Sequence, residues 1–347
     1  MKVEDKSGRR KFLTNTLTLA AGSSLIGSQL FGAPAILNYY NKPNSMIKGV
    51  QVGVITYSFR SMEDQSAEAM LQYVLDCGIN AIELIGDPAE TFAGRPESKM
   101  DRTSFYGLMR KKRNGGISED EEKELKDFQA QIKAYNIKVS HWRETVDLDK
   151  FAKFRKMYND AGVSIYAFKP RNTFGKSNSD SDIAWGMKTA KILGASHITV
   201  EHPSDDVHTL RLGTFAKKHG VYVAYHGHEQ QTPTLWDTAL EQSDFNALNL
   251  DLGHYVAAGN AQPLDIIKVK KDQIKSMHLK DRQTPENGKN NLVWGEGDTP
   301  IAEALQLMRD KKYTFPGTIE LEYKIPEGSN AVEEVKKCLA YCEKALI

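Results

Sequence analysis

Ser276-Met277-His278-Leu279-Lys280-Asp281 decides how this chain is read. Apolar and polar residues alternate, so His278 and Lys280 share one face of a strand and Met277 and Leu279 the other. The earlier Leu248-Asn249-Leu250-Asp251-Leu252-Gly253-His254 sets Asp251 and His254 around a strand end, with Gly253 allowing a tight turn. The later Thr318-Ile319-Glu320-Leu321-Glu322-Tyr323 puts two glutamates on one side. Short β-rich segments that finish in ionisable residues are what a parallel barrel displays at its carboxyl face.

Moving outward, similar segments recur at 52–59, 81–85, 139–142, 165–168, 197–201, 221–226, 248–252, 276–280 and 318–323. Helical periodicity fills the gaps. Leu125, Phe128 and Ile132 recur at three and four residues, as do Phe151, Phe154, Tyr158 and Ala161 before the stop signal Gly162. Repeated strand–helix–glycine units predict an α/β fold with a parallel sheet. A doubly wound sheet would want a glycine-rich phosphate loop after the first strand, and Thr56-Tyr57-Ser58-Phe59-Arg60 is not one. We therefore expect a single-domain (β/α)₈ TIM barrel over 49–347. Nine segments compete for eight places, so one of the two shortest, 139–142 or 165–168, should lie outside the ring. The charged stretch 96–124 reads as a long loop leading into a helix, and 281–299 as a second long loop.

The first 35 residues read as an address. Lys2, Lys6, Arg9, Arg10 and Lys11 precede a weakly apolar run from Phe12 to Phe31, closed by Ala33-Pro34-Ala35. Ser7-Gly8-Arg9-Arg10-Lys11-Phe12-Leu13 resembles the twin-arginine export motif. Export to the periplasm is expected, with 1–35 removed, 36–48 a polar linker, and no stable membrane insertion after processing. A retained membrane anchor is the alternative reading.

Over 347 residues, Lys plus Arg is 46 and Asp plus Glu is 45, for a net charge of +1. That balance offers no footprint for nucleic acid or an anionic membrane. Three cysteines, Cys77, Cys338 and Cys342, do not make a disulfide framework and read as plain thiols.

The strand ends supply Glu83, His141, Lys169, Glu201, His226 with His228, Asp251 with His254, His278 with Lys280 and Asp281, and Glu320 with Glu322. Imidazoles interleaved with carboxylates, and no cysteine, suit a divalent ion such as Mn²⁺, Co²⁺, Zn²⁺, Fe²⁺ or Mg²⁺. Asp251 and His278 read as ligands. Glu322 is preferred to Glu320, which lies one layer deeper and reads as a buried partner for a barrel cation. His141, Lys169, His228, His254, Lys280 and Arg282 form the expected substrate-facing set, although Asp281 and Arg282 could also form a plain surface ion pair.

From Val50 onward the chain resembles the xylose isomerase-like TIM-barrel superfamily. The resemblance rests on the Asp-x-x-His of 251–254, the His-Leu-Lys-Asp of 278–281, the Gly-Glu-Gly-Asp of 295–298 and the final strand of 317–322. It implies Asp251, His278 and Glu322 as metal ligands. Where the family usually ends a strand in Glu, this chain has His226, so the fourth ligand is either His226 itself or Glu201 on the preceding strand. The resemblance also implies proton abstraction next to a carbonyl, with Glu201 and Glu322 as acid and base. A sugar isomerase or epimerase is expected first, a lyase or dehydratase second, and a nuclease or non-catalytic sugar-binding protein last. The partner is a small sugar-like molecule, and a homo-oligomer is compatible with the sequence.

Overall fold

Eight parallel strands close into a ring in the computed structural model, which describes residues 42–347. They are β1 (Val50–Ile55), β2 (Ala81–Ile85), β3 (Ser164–Lys169), β4 (His197–Glu201), β5 (Tyr222–His226), β6 (Asn246–Asp251), β7 (Ile274–Leu279) and β8 (Gly317–Ile319). Each pairs with the next and β8 returns to β1, which leaves no exposed edge. Pro43–Ile347 forms one unit, the expected (β/α)₈ barrel.

Surrounding helices bury one apolar stripe each against the strands. Helix Ala67–Asp76 is typical. Ser66 caps it by accepting from Ala69 N at 3.2 Å, and Met70 and Val74 are fully buried. Each such side chain contributes about 1.5–3 kcal/mol on burial. The three cysteines are buried free thiols in the same core.

Of the two competing short segments, 139–142 is the one outside the ring, and it is not a strand, because it lies inside helix Glu119–Thr145. Val139 is buried on that helix with Leu125 and Phe128, at spacings that return to one face. Ser118 and Glu121 start the helix with a reciprocal capping box. The stretch 96–124 is not a loop throughout either. It holds helix Arg102–Arg113, capped by Asp101, whose Leu108 packs on Leu125 and Phe128 in a small separate cluster. With helices Gly86–Phe92 and Asp149–Asp160, these make a helical insertion between β2 and β3.

The expected signal peptide 1–35 and the first part of the expected linker, 36–41, fall outside the described residues. The end of that linker belongs to the fold: Met46–Ile47 pairs antiparallel with β1, and the Ser45 hydroxyl donates to Val52 O at 2.6 Å. The expected loop 281–299 is a long excursion that pairs Asp281–Arg282 antiparallel with Asn291–Leu292, and it is tied down. The Asp281 carboxylate accepts from the amides of Gly295, Gly297 and Thr299 at 2.7, 3.0 and 3.2 Å. A Cβ on Gly297 would run into the anchored Asp281 carboxylate, so the approach favours glycine. Among the described residues no helix is long and apolar enough to cross a membrane.

Candidate functional site

Strand register builds the site. Glu201 of β4 pairs with His226 of β5, and Asp251 of β6 pairs with His278 of β7. Thr318 of β8 pairs with His278, and Glu320 N donates to Leu279 O at 3.0 Å, so Glu320 continues the inward face of β8.

His278 is held from both sides. Its Nε2 lies 2.8 Å from Glu83 Oε2 and its Nδ1 2.9 Å from Glu320 Oε2. Burial opposes a charged imidazole, but the two carboxylates outweigh it and raise the ring to about 10. Against the same burial effect, His278 brings Glu83 down to about 2. His226 is different. Its Nδ1 lies 2.8 Å from Asn249 Oδ1, while Asn249 Nδ2 donates to Ser276 Oγ at 2.7 Å and Glu83 Oε2 at 3.1 Å. The amide is thereby oriented, His226 Nδ1 donates, and Nε2 keeps its lone pair. Burial, reinforced by Lys169, lowers His226 to about 3, so it is neutral.

Asp251 is shared between structure and chemistry. Oδ1 caps helix Leu252–Ala257 by accepting from His254 N at 2.7 Å. Oδ2 is buried and takes no well-directed hydrogen bond. It lies 3.8 Å from His226 Nε2, 3.8 Å from His278 Nδ1 and 3.0 Å from Lys280 Nζ. The ligand atoms of His226, Asp251 and His278 all fall within 4.8 Å of one another, and those of His226, His228 and His254 form a second such group.

Lys280 stands above this floor, 2.6 Å from Glu320 Oε2 and 2.7 Å from Glu322 Oε2. Burial disfavours its charge, but Asp251, Glu320 and Glu322 outweigh that and keep the ammonium protonated. Lys169 donates to Glu201 Oε1 at 2.8 Å, and His228 Nε2 lies 3.1 Å from Glu201 Oε2. Against partial desolvation, and although the Glu201 side chain is half exposed, these partners and His226 hold it far below the usual carboxylate range. Arg282 Nη1 lies 2.6 Å from His254 Nδ1. Arginine can only donate, so Nδ1 accepts and the proton sits on Nε2, 4.0 Å from Glu322 Oε2.

The residues present fit a divalent cation. A buried Asp251 oxygen, paired in charge with Lys280 but taking no directed hydrogen bond, and an imidazole lone pair converge beside a second imidazole. Five carboxylates (Glu83, Glu201, Asp251, Glu320 and Glu322) face three cations: the Lys169 and Lys280 ammonium groups and the His278 imidazolium. That imbalance calls for added positive charge. Glu83 on His278 Nε2 is the carboxylate–histidine arrangement that orients a metal-binding imidazole.

Most of the expected site residues do gather here: Glu201, His226, Asp251, His278, Glu322, Lys169, His228, His254 and Lys280 surround one cavity or its floor. Glu320, not Glu322, is the carboxylate in contact with His278, while Glu322 lies nearer the mouth on Lys280. His141 is excluded. It sits on the exposed surface of helix Glu119–Thr145, 3.6 Å from Glu144, because its segment is helical. Arg282 is buried and braces His254 and Glu229, and Asp281 anchors the loop, so the two are not a surface ion pair. Glu83 and Asn249 were missed as site residues. Glu83 was visible as a carboxylate at a strand end, whereas nothing in the sequence marks Asn249.

A parallel barrel with a His–Asp–His donor set at its carboxyl face defines the class. The sequence profile of the xylose isomerase-like TIM barrel family matches residues 71–343, and the chain belongs to that family. No curated protein matches the chain in sequence. Among solved structures it resembles a sugar phosphate isomerase/epimerase from Parabacteroides distasonis, at 18% identity and a TM-score of 0.54, covering 86% of this chain and 96% of that one. AsbF of Bacillus anthracis, assigned as a 3-DHS dehydratase of petrobactin synthesis, gives 16% identity and a TM-score of 0.55, covering 84% and 97%. The IolI protein with a bound zinc atom gives 14% identity and a TM-score of 0.53, covering 86% and 99%. At these identities the likeness is one of fold.

Proposed function

We propose that this chain is a divalent-metal-dependent isomerase or epimerase of a small sugar. The observation that carries this reading is Asp251 Oδ2, buried 3.8 Å from both His226 Nε2 and His278 Nδ1, with Lys280 Nζ beside it at 3.0 Å. His226, Asp251, His278 and Glu320 hold the ion, with Glu320 in the place first given to Glu322. The bound ion supplies Lewis acidity to a carbonyl or hydroxyl oxygen and favours proton loss from the adjacent carbon.

The remaining residues bind and move protons. Lys280 and Lys169 face substrate oxygens as fixed positive charges. His254 presents an Nε2–H that Arg282 keeps in that tautomer. Glu322, at the mouth beside Lys280, takes the proton, and Glu201 stands across the site as its partner. Glu201 is held ionised by Lys169 and His228, which makes it a weak base until substrate displaces one of those contacts. Incubation of the metal-loaded protein with a ketose panel in D₂O tests this. Deuterium exchange without elimination supports isomerisation, an enone product marks a lyase instead, and no exchange into any sugar refutes the reading.

The N-terminal pattern supports a second part of the proposal: export by the twin-arginine route to the periplasm after folding and metal loading.

A further inference from the structure

The cavity above the site has a volume of 1220 Å³. Pockets that bury drug-sized ligands span roughly 300–1,000 Å³, and a single hexose is smaller than those ligands. The surplus lies to one side. It runs from Glu322 and His228 to a wall made by helix Glu119–Thr145 and the loop 170–178 that follows β3.

This outer arm has its own chemistry. Gln129, Lys133, Asn136 and Ser140 line it from the helix, at spacings of four, three and four that keep them on one face. Asn172 and Asn178 line it from the loop packed beside that helix, where Arg143 donates to Asn172 O at 3.2 Å. The arginines nearby are already neutralised. Arg143 donates to Asp182 at 3.0 Å and to Arg171 O at 2.8 Å, Arg171 lies 2.5 Å from Asp87, and Arg95 lies 3.0 Å from Glu90. Lys133 has no ion pair among the described residues, but one cation falls short of the cluster that a phosphate site would present. Amides and hydroxyls, each able to donate and accept, suit a neutral ring bearing many hydroxyls.

We propose that the arm is a second sugar subsite and that the substrate is a disaccharide. Its carbonyl-bearing end lies among Lys280, His254 and Glu322, and its second ring lies against helix Glu119–Thr145. This rests on the sugar reading above and adds to it the substrate's size. The second ring takes no part in bond making. Its binding holds the first ring in register with the proton-moving groups.

The test compares the Mn²⁺-loaded protein with its Asn136→Trp and Gln129→Trp variants by titration calorimetry, both positions being exposed. The probes are glucose, galactose and fructose, then cellobiose, maltose, lactose and lactulose, and finally glucose 6-phosphate and fructose 6-phosphate. Both substitutions lie on the helix surface, away from the barrel core, and unchanged melting temperatures verify the fold. The proposal requires at least one disaccharide to bind ten-fold or more tighter than its component monosaccharides. It also requires each tryptophan to erase that advantage and leave monosaccharide affinity unchanged. Equal binding of mono- and disaccharides, an advantage that survives both variants, or a preference for the sugar phosphates overturns the subsite and leaves the sugar reading standing. If no sugar of any kind binds, the sugar reading itself falls and takes the subsite with it.

Discussion

Glu83→Gln probes the layer beneath the metal floor. Glu83 Oε2 receives His278 Nε2 at 2.8 Å and Asn249 Nδ2 at 3.1 Å, while Oε1 is buried with no partner. Glutamine can keep its carbonyl oxygen in the first position. Its amide nitrogen then falls where Oε1 was, as a buried donor with nothing to receive it. An unmet buried donor costs about 1–3 kcal/mol, and replacing a charge-assisted bond by a neutral one costs about 1 kcal/mol more. The metal-free variant should therefore lose about 2–4 kcal/mol. At roughly 2–4 °C per kcal/mol for chains of this size, the melting temperature should fall by several degrees. Loss of the carboxylate behind His278 should also weaken metal binding about 10–100-fold. Thermal denaturation with and without Mn²⁺, together with Mn²⁺ titration, reads both effects. Metal affinity within two-fold of wild type, on a folded variant, would show that Glu83 does not orient a ligand.

The remaining predictions address the titrating pair, the proposed acid–base carboxylate and the address. In the metal-free protein, His278 at about 10 and Glu83 at about 2 describe one ion pair. Its stabilisation is full between about pH 4.5 and 6.5, fades as pH falls toward 2, and fades again as pH rises toward 10. Glu83→Gln should flatten both limbs in a stability-against-pH series, and unchanged limbs would contradict the pairing. Glu201→Gln should retain metal yet lose activity by about 10²–10⁴-fold, and loss of metal instead would make Glu201 a ligand. Secreted protein should begin near Ile36 on N-terminal sequencing, and Arg9→Lys with Arg10→Lys should strand it in the cytoplasm. Unimpeded export of that double variant would remove the twin-arginine proposal.

Much of this site is legible in the sequence because β-strands alternate. His278 with Lys280, and Asp251 with His254, could be placed at strand ends from period two and one glycine. The same rule put Glu320 and Glu322 on one side, but it could not say which reaches His278. That depends on where β8 leaves the sheet, and the chain does so after Ile319, with Glu320 still bonded to Leu279 O. Val139-Ser140-His141-Trp142 misled because β-branched and aromatic residues raise the strand signal locally. Its helix is decided by burial of Leu125, Phe128 and Val139 over several turns. Helix Arg102–Arg113 was hidden by charge, since Leu108 is its buried apolar anchor. Asn249 was out of reach because an asparagine in a strand shows its partners only once Glu83, His226 and Ser276 are brought around it.

The central claim is that Asp251 closes a metal site on the barrel floor. Elemental analysis of Mn²⁺-reconstituted wild type and Asp251→Ala, both shown folded by circular dichroism, tests it most directly. Wild type should carry about one divalent ion per chain and the variant almost none. A variant that keeps its full complement, or a wild type that binds no divalent ion at all, would contradict the account.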